Sequence, residues 1–474
     1  MIQKNRLWIA LIVVSVLSLL AAAFLRPYYF SDSHLLGVVF FLQLTIAILW
    51  KYQARYFLFL IVTFLWAGTP LPMHEVWTAG RWFVLGVGAT TGVLLFAYTH
   101  RRPFRAIHLI AAACVLAAVV SALASVHPEV ALLKSVSLFL LFLFGAAGAR
   151  IAIVDRPQAF FSGLLFACEL LVYLTAICYF ALHLEAYGNR NSLGVVMGVV
   201  TFPILLWGLM ISDRPSVRRR RIFALLVCLL LLFSSYERAG IVAALVSSVT
   251  LCIGVRRYTL LVKGLVVAVA IAFLASVIEP PLNSPPSDDG SLASRFVYKG
   301  KRDEGVLNSR RSVWGQTVSS LRVHPWFGTG FGTSATFDEE GRVSNKFSSA
   351  AQVSREHGNS YLEIAEWVGI LGVSPFVLLL ALIVTQLLRV VRWMRQTGSA
   401  SCYAVPLTLF LAGALVHAGF EDWLFAVGYH TCVLFWSFAF VLPDLLPDPG
   451  SRQIVPMQWC VTVEQKILRP LTVQ

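Results

Sequence analysis

Apolar stretches of bilayer-spanning length recur along almost the whole chain, beginning with "LWIALIVVSVLSLLAAAF" (Leu7–Phe24). A helix of about 20 apolar residues crosses the hydrocarbon core of a membrane. A chain built largely from such stretches is predicted to be an all-α polytopic membrane protein. Composition agrees: 58% of the 474 residues are hydrophobic and 13% are charged, whereas soluble domains carry about 25% charged residues. The first stretch is not followed by a small-residue cleavage site and a soluble domain, so it is read as a retained helix.

Spans are expected near 7–24, 35–50, 56–72, 82–98, 106–125, 129–148, 159–183, 192–212, 221–235, 239–255, 259–278, 361–388, 403–420 and 424–442. Alternate connections carry Lys4/Arg6, Lys51/Arg55, Arg101/Arg102/Arg105, Arg150/Arg156, Arg214 with Arg218–Arg221, Arg256/Arg257 and Arg389/Arg392/Arg395, while the opposite short connections are nearly free of basic residues. Basic residues mark the cytoplasmic side. The expectation is about 14 transmembrane helices (12–14) with both ends cytoplasmic, and most of the net charge of +14 is topology signal. The eight cysteines lie in expected spans or in the C-terminal tail, which suggests neither a disulfide framework nor a zinc site. Three regions are expected: N-terminal transmembrane helices (1–184), a core (185–442) and a cytoplasmic tail (443–474).

One outer connection breaks the charge pattern. Residues 279–358 form an 80-residue extracytoplasmic loop that opens with "EPPLNSPPSDDGS" and carries ten Lys/Arg. Long structureless loops are uncommon unless functional or disordered, so the loop reads either as a solvated segment or as a basic pocket for an anionic substrate. Within it, "NSRRSVWGQTVSSLRVH" (Asn308–His324) places Val313, Trp314, Val318 and Leu321 on one face of an amphipathic helix. "HPWFGTGFG" follows as a Pro/Gly turn whose aromatics suit a buried bend.

Three arginines sit at outer helix ends: Arg190 in "YGNRNSLG", Arg238 in "SSYERAGIV" and Arg310 at the start of the amphipathic helix. A guanidinium offers a planar fork for phosphate oxygens and keeps its charge near membrane depth. Snorkelling or a carboxylate pair is the plainer alternative, with Glu237 beside Arg238. His357 lies where the next helix begins. Ser360 and Glu363 fit an S-x-x-E capping box that starts that helix at about Tyr361 and leaves its N–H groups facing the outer region. His357 there could act as general base for a sugar hydroxyl, or equally be a surface histidine bonded to a loop carbonyl. His417 and Glu421 form an i,i+4 pair, followed by Asp422. Glu169, an ionisable group within a span, is a functional candidate or a protonated interhelical donor. No nucleotide cradle or D-x-D metal pattern occurs, so no cofactor or metal is expected.

The order "GNRNSLG", "SSYERAGIV", "SRRSVWGQTVSSLRVHPWFGTGFG" and "HGNSYLEIAEWVGILG" resembles the O-antigen ligase / O-antigen polymerase superfamily over roughly residues 185–388. The third block, with Arg-x-x-x-Trp, His-Pro and a Gly-rich turn, is the most specific. The resemblance implies a GT-C-like, metal-independent, inverting glycosyltransferase of the bacterial inner membrane, working at the periplasmic face. It would take a glycan from an undecaprenyl-diphosphate carrier and pass it to lipid A–core, to a glycan repeat unit as in polysaccharide or exopolysaccharide polymerases, or to protein. It further implies Arg238 and Arg310, with Arg190, on the diphosphate and His357 as base. Asn359, Asn191, Trp314, His417 and Glu421 would be supporting residues. Here Gly358 separates His357 from Asn359, whereas the family commonly has His directly before Asn. Membrane lipids are expected neighbours and nucleic acid is not. The competing expectation is a lipid-linked oligosaccharide flippase, which should show internal repeats and charges lining its spans. A membrane scaffold would give no reason for outward Arg and His at helix ends.

Overall fold

A computed structural model describes residues 56–68, 74–99, 103–184, 187, 189–278, 308–337, 343–344 and 355–447. The expected spans near 7–24 and 35–50, most of the loop 279–358 and the end of the tail lie outside the described residues. The helices are α1 (Tyr56–Ala67), α2 (His74–Thr99), α3 (Ala106–Leu123), α4 (Pro128–Val154), α5 (Pro157–Ala181), α6 (Arg190–Met210), α7 (Pro215–Ser234), α8 (Arg238–Val255), α9 (Tyr258–Ile278), α10 (Asn308–Val323), α11 (Ser360–Thr397), α12 (Ala404–His417) and α13 (His430–Leu445). A single two-residue antiparallel ladder is described, β1 (Thr336–Phe337) with β2 (Val343–Ser344), which pairs Thr336 with Ser344. Eight of the described helices (α2–α6, α8, α9 and α11) are long and apolar enough to cross a membrane; α1, α12 and α13 are apolar but shorter. The all-α, multi-pass class stands, and the count of fourteen does not follow from the described residues.

α13 is apolar on every face and buried from Thr431 to Pro443, so it forms the centre of the bundle. Around it α8 packs along α12, α11 along α3 and α2 along α4. Hydrogen bonds tie the helices where dispersion alone would leave register loose: Ser247 Oγ donates to Leu409 O (2.8 Å) and Trp207 Nε1 to Ala400 O (3.0 Å). α6 meets α8 through Gly194, Gly198 and Gly240. A Cβ on Gly198 would stand 2.8 Å from the Gly240 carbonyl carbon, so small residues allow these backbones to touch. That contact sets the N-terminal end of α6, with Arg190, beside the N-terminal end of α8, with Arg238.

Several charges that sequence assigns to topology or catalysis turn out to hold the bundle together. Arg150 is buried and grips Asp444 through Nε (2.5 Å) and Nη2 (3.1 Å), and Arg105 joins the same carboxylate at 3.3 Å. Glu169 joins helices: it sits against the basic run of α7, 2.8 Å from Arg220 Nε and 3.4 Å from Arg221 Nε. An ionisable residue at depth is tolerated when a partner shares the burial, and α7 supplies two.

Candidate functional site

The site is organised by a break in a helix. α11 is interrupted at Gly369, whose φ of 66° and ψ of −178° lie outside any helical region. A break at membrane depth frees backbone groups that must find partners, and the "HPWFGTGFG" turn provides them. Thr329 N donates to Glu366 O (2.9 Å) and Gly330 N to Trp367 O (3.0 Å), while Ile370 N donates to Pro325 O (2.8 Å) and Leu371 N to Trp326 O (3.2 Å). The turn is therefore a backbone clamp. Its Trp326 and Phe327 are exposed, at 60% and 45%, and Phe331 is the aromatic that is buried; the expected buried bend is corrected accordingly.

The lower piece of α11 begins at Ser360, one residue before the sequence expectation, and its cap is Asn359. The Asn359 side-chain oxygen accepts from Tyr361 N (2.9 Å) and Leu362 N (3.1 Å), and its amide donates to Gly419 O (2.9 Å). Ser360 N donates to Ala418 O and Glu363 N to Asn359 O. The first four N–H groups are thus occupied, which removes this helix end as an anion site, and Glu363 is released from the expected capping box to face inward. Replacing Asn359 by Ala should lower stability by about 1 kcal/mol, the usual worth of an N-cap, read as a fall in thermal midpoint in detergent.

Gly358 has φ 59°, the left-handed region that glycine enters without penalty. In that conformation its carbonyl receives Arg310 Nη1 (2.8 Å) and Trp314 Nε1 (3.3 Å). Arg310 and Trp314 stand four apart on α10, hence on one face, and the Arg-x-x-x-Trp block converges on one oxygen. The inward face of α10 is Val313, Trp314, Thr317, Ser320 and Leu321, whereas Val318, expected on it, is 40% exposed.

His357 is wholly buried. Its Nε2 lies 3.1 Å from Glu366 Oε2 and 3.2 Å from Ser334 Oγ, and its backbone N donates to Asp422 Oδ2 (2.6 Å). Nδ1 lies 3.8 Å from Glu363 Oε1 and 3.9 Å from Asp422 Oδ2, and makes no hydrogen bond among the described residues. Glu366, also fully buried, is paired with Arg355 and accepts from Ala335 N (3.3 Å); Arg355 donates in turn to Thr317 Oγ1 (2.8 Å). His357 Nδ1, Glu363 and Asp422 offer ligand atoms within 4.8 Å of one another, a mix of imidazole and carboxylates that could hold a divalent cation.

The other expected residues divide. Arg238 opens α8, near enough to Arg310 for the two charges to repel. Glu237 acts on Arg238 electrostatically, and its carboxylate also caps α8 by accepting from Gly240 N and faces His417 Nε2 at 3.4 Å. His417 is the last residue of α12, so it and Glu421 do not share a helix, though the two charges still act on each other. Its Nδ1 accepts from Trp423 Nε1 (2.9 Å), and Glu421 turns to Arg310 Nη2 (2.7 Å). Burial lifts the Glu421 carboxyl above the ordinary carboxylate range, with Arg310 pulling it back. Arg190 is half-buried in a small cleft with Tyr179, Tyr187 and Leu193, and Asn191 is exposed; neither touches His357 among the described contacts. Glu366, Arg355 and Ser334 were missed from sequence. The rule that singled out Glu169 applies equally to Glu363 and Glu366, which lie in the expected span 361–388.

Fold and cluster together define a multi-pass α-helical membrane protein with a buried His–carboxylate–Arg assembly beside a clamped helix break. Residues 223–377 match the model of the O-antigen ligase family (Wzy_C), which supports the O-antigen ligase superfamily for this chain and points to a membrane glycan ligase of lipopolysaccharide biosynthesis. The match takes in Arg238, Arg310, His357 and Glu366 and ends before His417, Glu421 and Asp422. No curated protein matches the chain.

Proposed function

We propose that this protein transfers a glycan from a polyprenyl-diphosphate carrier to an acceptor hydroxyl at the periplasmic face of the bacterial inner membrane, with lipid A–core as the acceptor. The observation that supports this reading is the hold of Arg310 on the Gly358 carbonyl, which sets a guanidinium, a group suited to phosphate oxygens, one residue from His357. Arg238 adds a second positive charge close by. The two cations would bind the diphosphate and stabilise its charge as it leaves. His357 would take the proton from the acceptor hydroxyl, and attack from the far side would invert the anomeric carbon. The imidazole is buried, so the acceptor reaches it only when groups against it, Ser334 and Trp367 among them, move aside.

In membranes or purified protein, Arg238→Ala and Arg310→Ala are each expected to lower kcat/KM for the lipid-linked donor about a hundredfold, the scale of losing one preorganised charge donor. A deletion strain should accumulate carrier-linked glycan and uncapped core; full activity in both variants, or normal glycans in the deletion, overturns the proposal. Transfer is expected to persist in EDTA. Loss in EDTA with recovery on adding Mn²⁺ or Zn²⁺ would assign the His357–Glu363–Asp422 set to a cation instead.

Glu421 supplies a pH dependence. Its carboxylate competes with the diphosphate for Arg310, and its raised range means it ionises, and so competes, only as pH climbs through that range. Donor KM should therefore rise with pH as the carboxylate ionises. Glu421→Gln, uncharged at every pH, should give a several-fold lower and flatter KM. An unchanged slope in that variant would remove Glu421 from donor binding.

A further inference from the structure

We propose that Glu366, held by Arg355, is the positioning residue that fixes the tautomer and orientation of His357. The inference rests on His357 being the base and goes beyond it, since it names which nitrogen accepts the proton and what holds the ring. A carboxylate only accepts hydrogen bonds, so the 3.1 Å contact to Glu366 Oε2 places the imidazole proton on Nε2. The lone pair then resides on Nδ1, the ring nitrogen that makes no hydrogen bond among the described residues. Ser334 Oγ, 3.2 Å away, shares the same Nε2–H.

Glu366 is itself held from three sides: Arg355 at Oε2, the Ala335 N–H at Oε1, and its place one turn before the break at Gly369, where the clamp takes its carbonyl. Arg355 is anchored to α10 through Thr317 Oγ1 and the Val313 carbonyl. A shift of α10 would thus be passed to the imidazole through Arg355 and Glu366. The charged and titratable groups around His357 are Glu363 and Glu366 on α11, Asp422 after α12, and Arg355 before α11; Lys134 of α4 acts on the same cluster through Glu363.

When the acceptor is deprotonated, Nδ1 gains the proton and the ring becomes a cation. Glu366 faces that charge across the Nε2 contact. Glu366→Gln can present its amide N–H to Nε2, which lets the ring proton move to Nδ1, the nitrogen that faces Glu363 and Asp422, and removes the lone pair there. Its kcat should fall about thirtyfold, less than the roughly 10²–10⁴-fold that a general base contributes, with donor KM within about twofold. Arg355→Met frees the Glu366 carboxylate from α10 and should lower kcat in the same way, and Glu366→Asp should regain part of the rate. The tautomer is read from the ¹⁵N shifts of labelled histidine: Nε2–H in the wild type and Nδ1–H in Glu366→Gln.

The assay is transfer by full-length protein in nanodiscs, using a synthetic polyprenyl-diphosphate oligosaccharide and lipid A–core from the deletion strain, with thermal midpoints measured alongside. If both variants lose rate with the wild-type tautomer kept, Glu366 only packs and the proposal is overturned. If Glu366→Gln fails to fold, the tautomer of the wild-type protein still decides it, since a proton on Nδ1 overturns the proposal. Activity in His357→Ala would instead sink the base reading itself; an inactive His357→Ala beside a Glu366→Gln with wild-type rate and tautomer would sink only this inference.

Discussion

Gly369→Val is expected to leave no folded protein after detergent extraction. The residue's φ of 66° with ψ of −178° falls in a region open essentially to glycine alone, and a side chain there costs about 1–3 kcal/mol before any contact is considered. The contacts are worse. A Cβ at 369 would stand 2.5 Å from Gly328 N and closer still to the Trp326 carbonyl oxygen. These are backbone atoms of the clamp, so relief requires pulling the 325–330 segment away from α11. The four hydrogen bonds across the break would then open inside the bundle, and each buried group left unmatched costs about 1–3 kcal/mol. The sum approaches the whole stability of a typical domain, about 5–15 kcal/mol. Gly264→Ala on α9, where an added Cβ meets nothing within 4 Å, is the control and should behave as wild type. A monodisperse Gly369→Val with an unchanged thermal midpoint would show that the clamp does not hold the break together.

That break also marks where the sequence stops being readable. Every expected span from 56 onward corresponds to a described helix, because hydrophobic length is a local property. The interruption at Gly369 is invisible to such reasoning: "EIAEWVGILGV" is apolar on both sides of the glycine, and the partners of its freed backbone lie some forty residues earlier in sequence. Capping shows the same limit. Ser360 and Glu363 satisfy the S-x-x-E pattern, yet Asn359 takes the cap, and the Glu363 carboxylate lies 3.8 Å from His357 Nδ1. Arg310 and Trp314 were legible, since their spacing on a helix decides that they face one way. Their shared target, the Gly358 carbonyl, was not, because it depends on how the loop folds back. Gly358 itself sharpened in meaning: it interrupts the His-Asn order of the family, and its left-handed turn delivers the His357 ring to Glu366 while presenting its carbonyl to Arg310.

His357→Ala is expected to lower transfer about 10³-fold, in the middle of the range for a general base, with donor binding retained. The ring touches the acceptor side of the proposed reaction only, whereas Arg238 and Arg310 remain to hold the diphosphate. Loss of rate without loss of donor affinity is therefore the pattern that separates a base from a binding residue. A buried histidine with two hydrogen-bonded neighbours also has a structural part, and imidazole distinguishes the two. Truncation leaves an imidazole-sized space beside Glu366 and Ser334, and added imidazole should recover part of the rate there, more at pH values where it is neutral. His357→Gln can still hydrogen-bond Glu366 but cannot accept a proton at neutral pH, so it should keep the thermal midpoint and not the activity. A His357→Gln that transfers glycan at the wild-type rate would move the base elsewhere in the cluster, with Asp422 and Glu363, the carboxylates that face Nδ1, as the groups to test next.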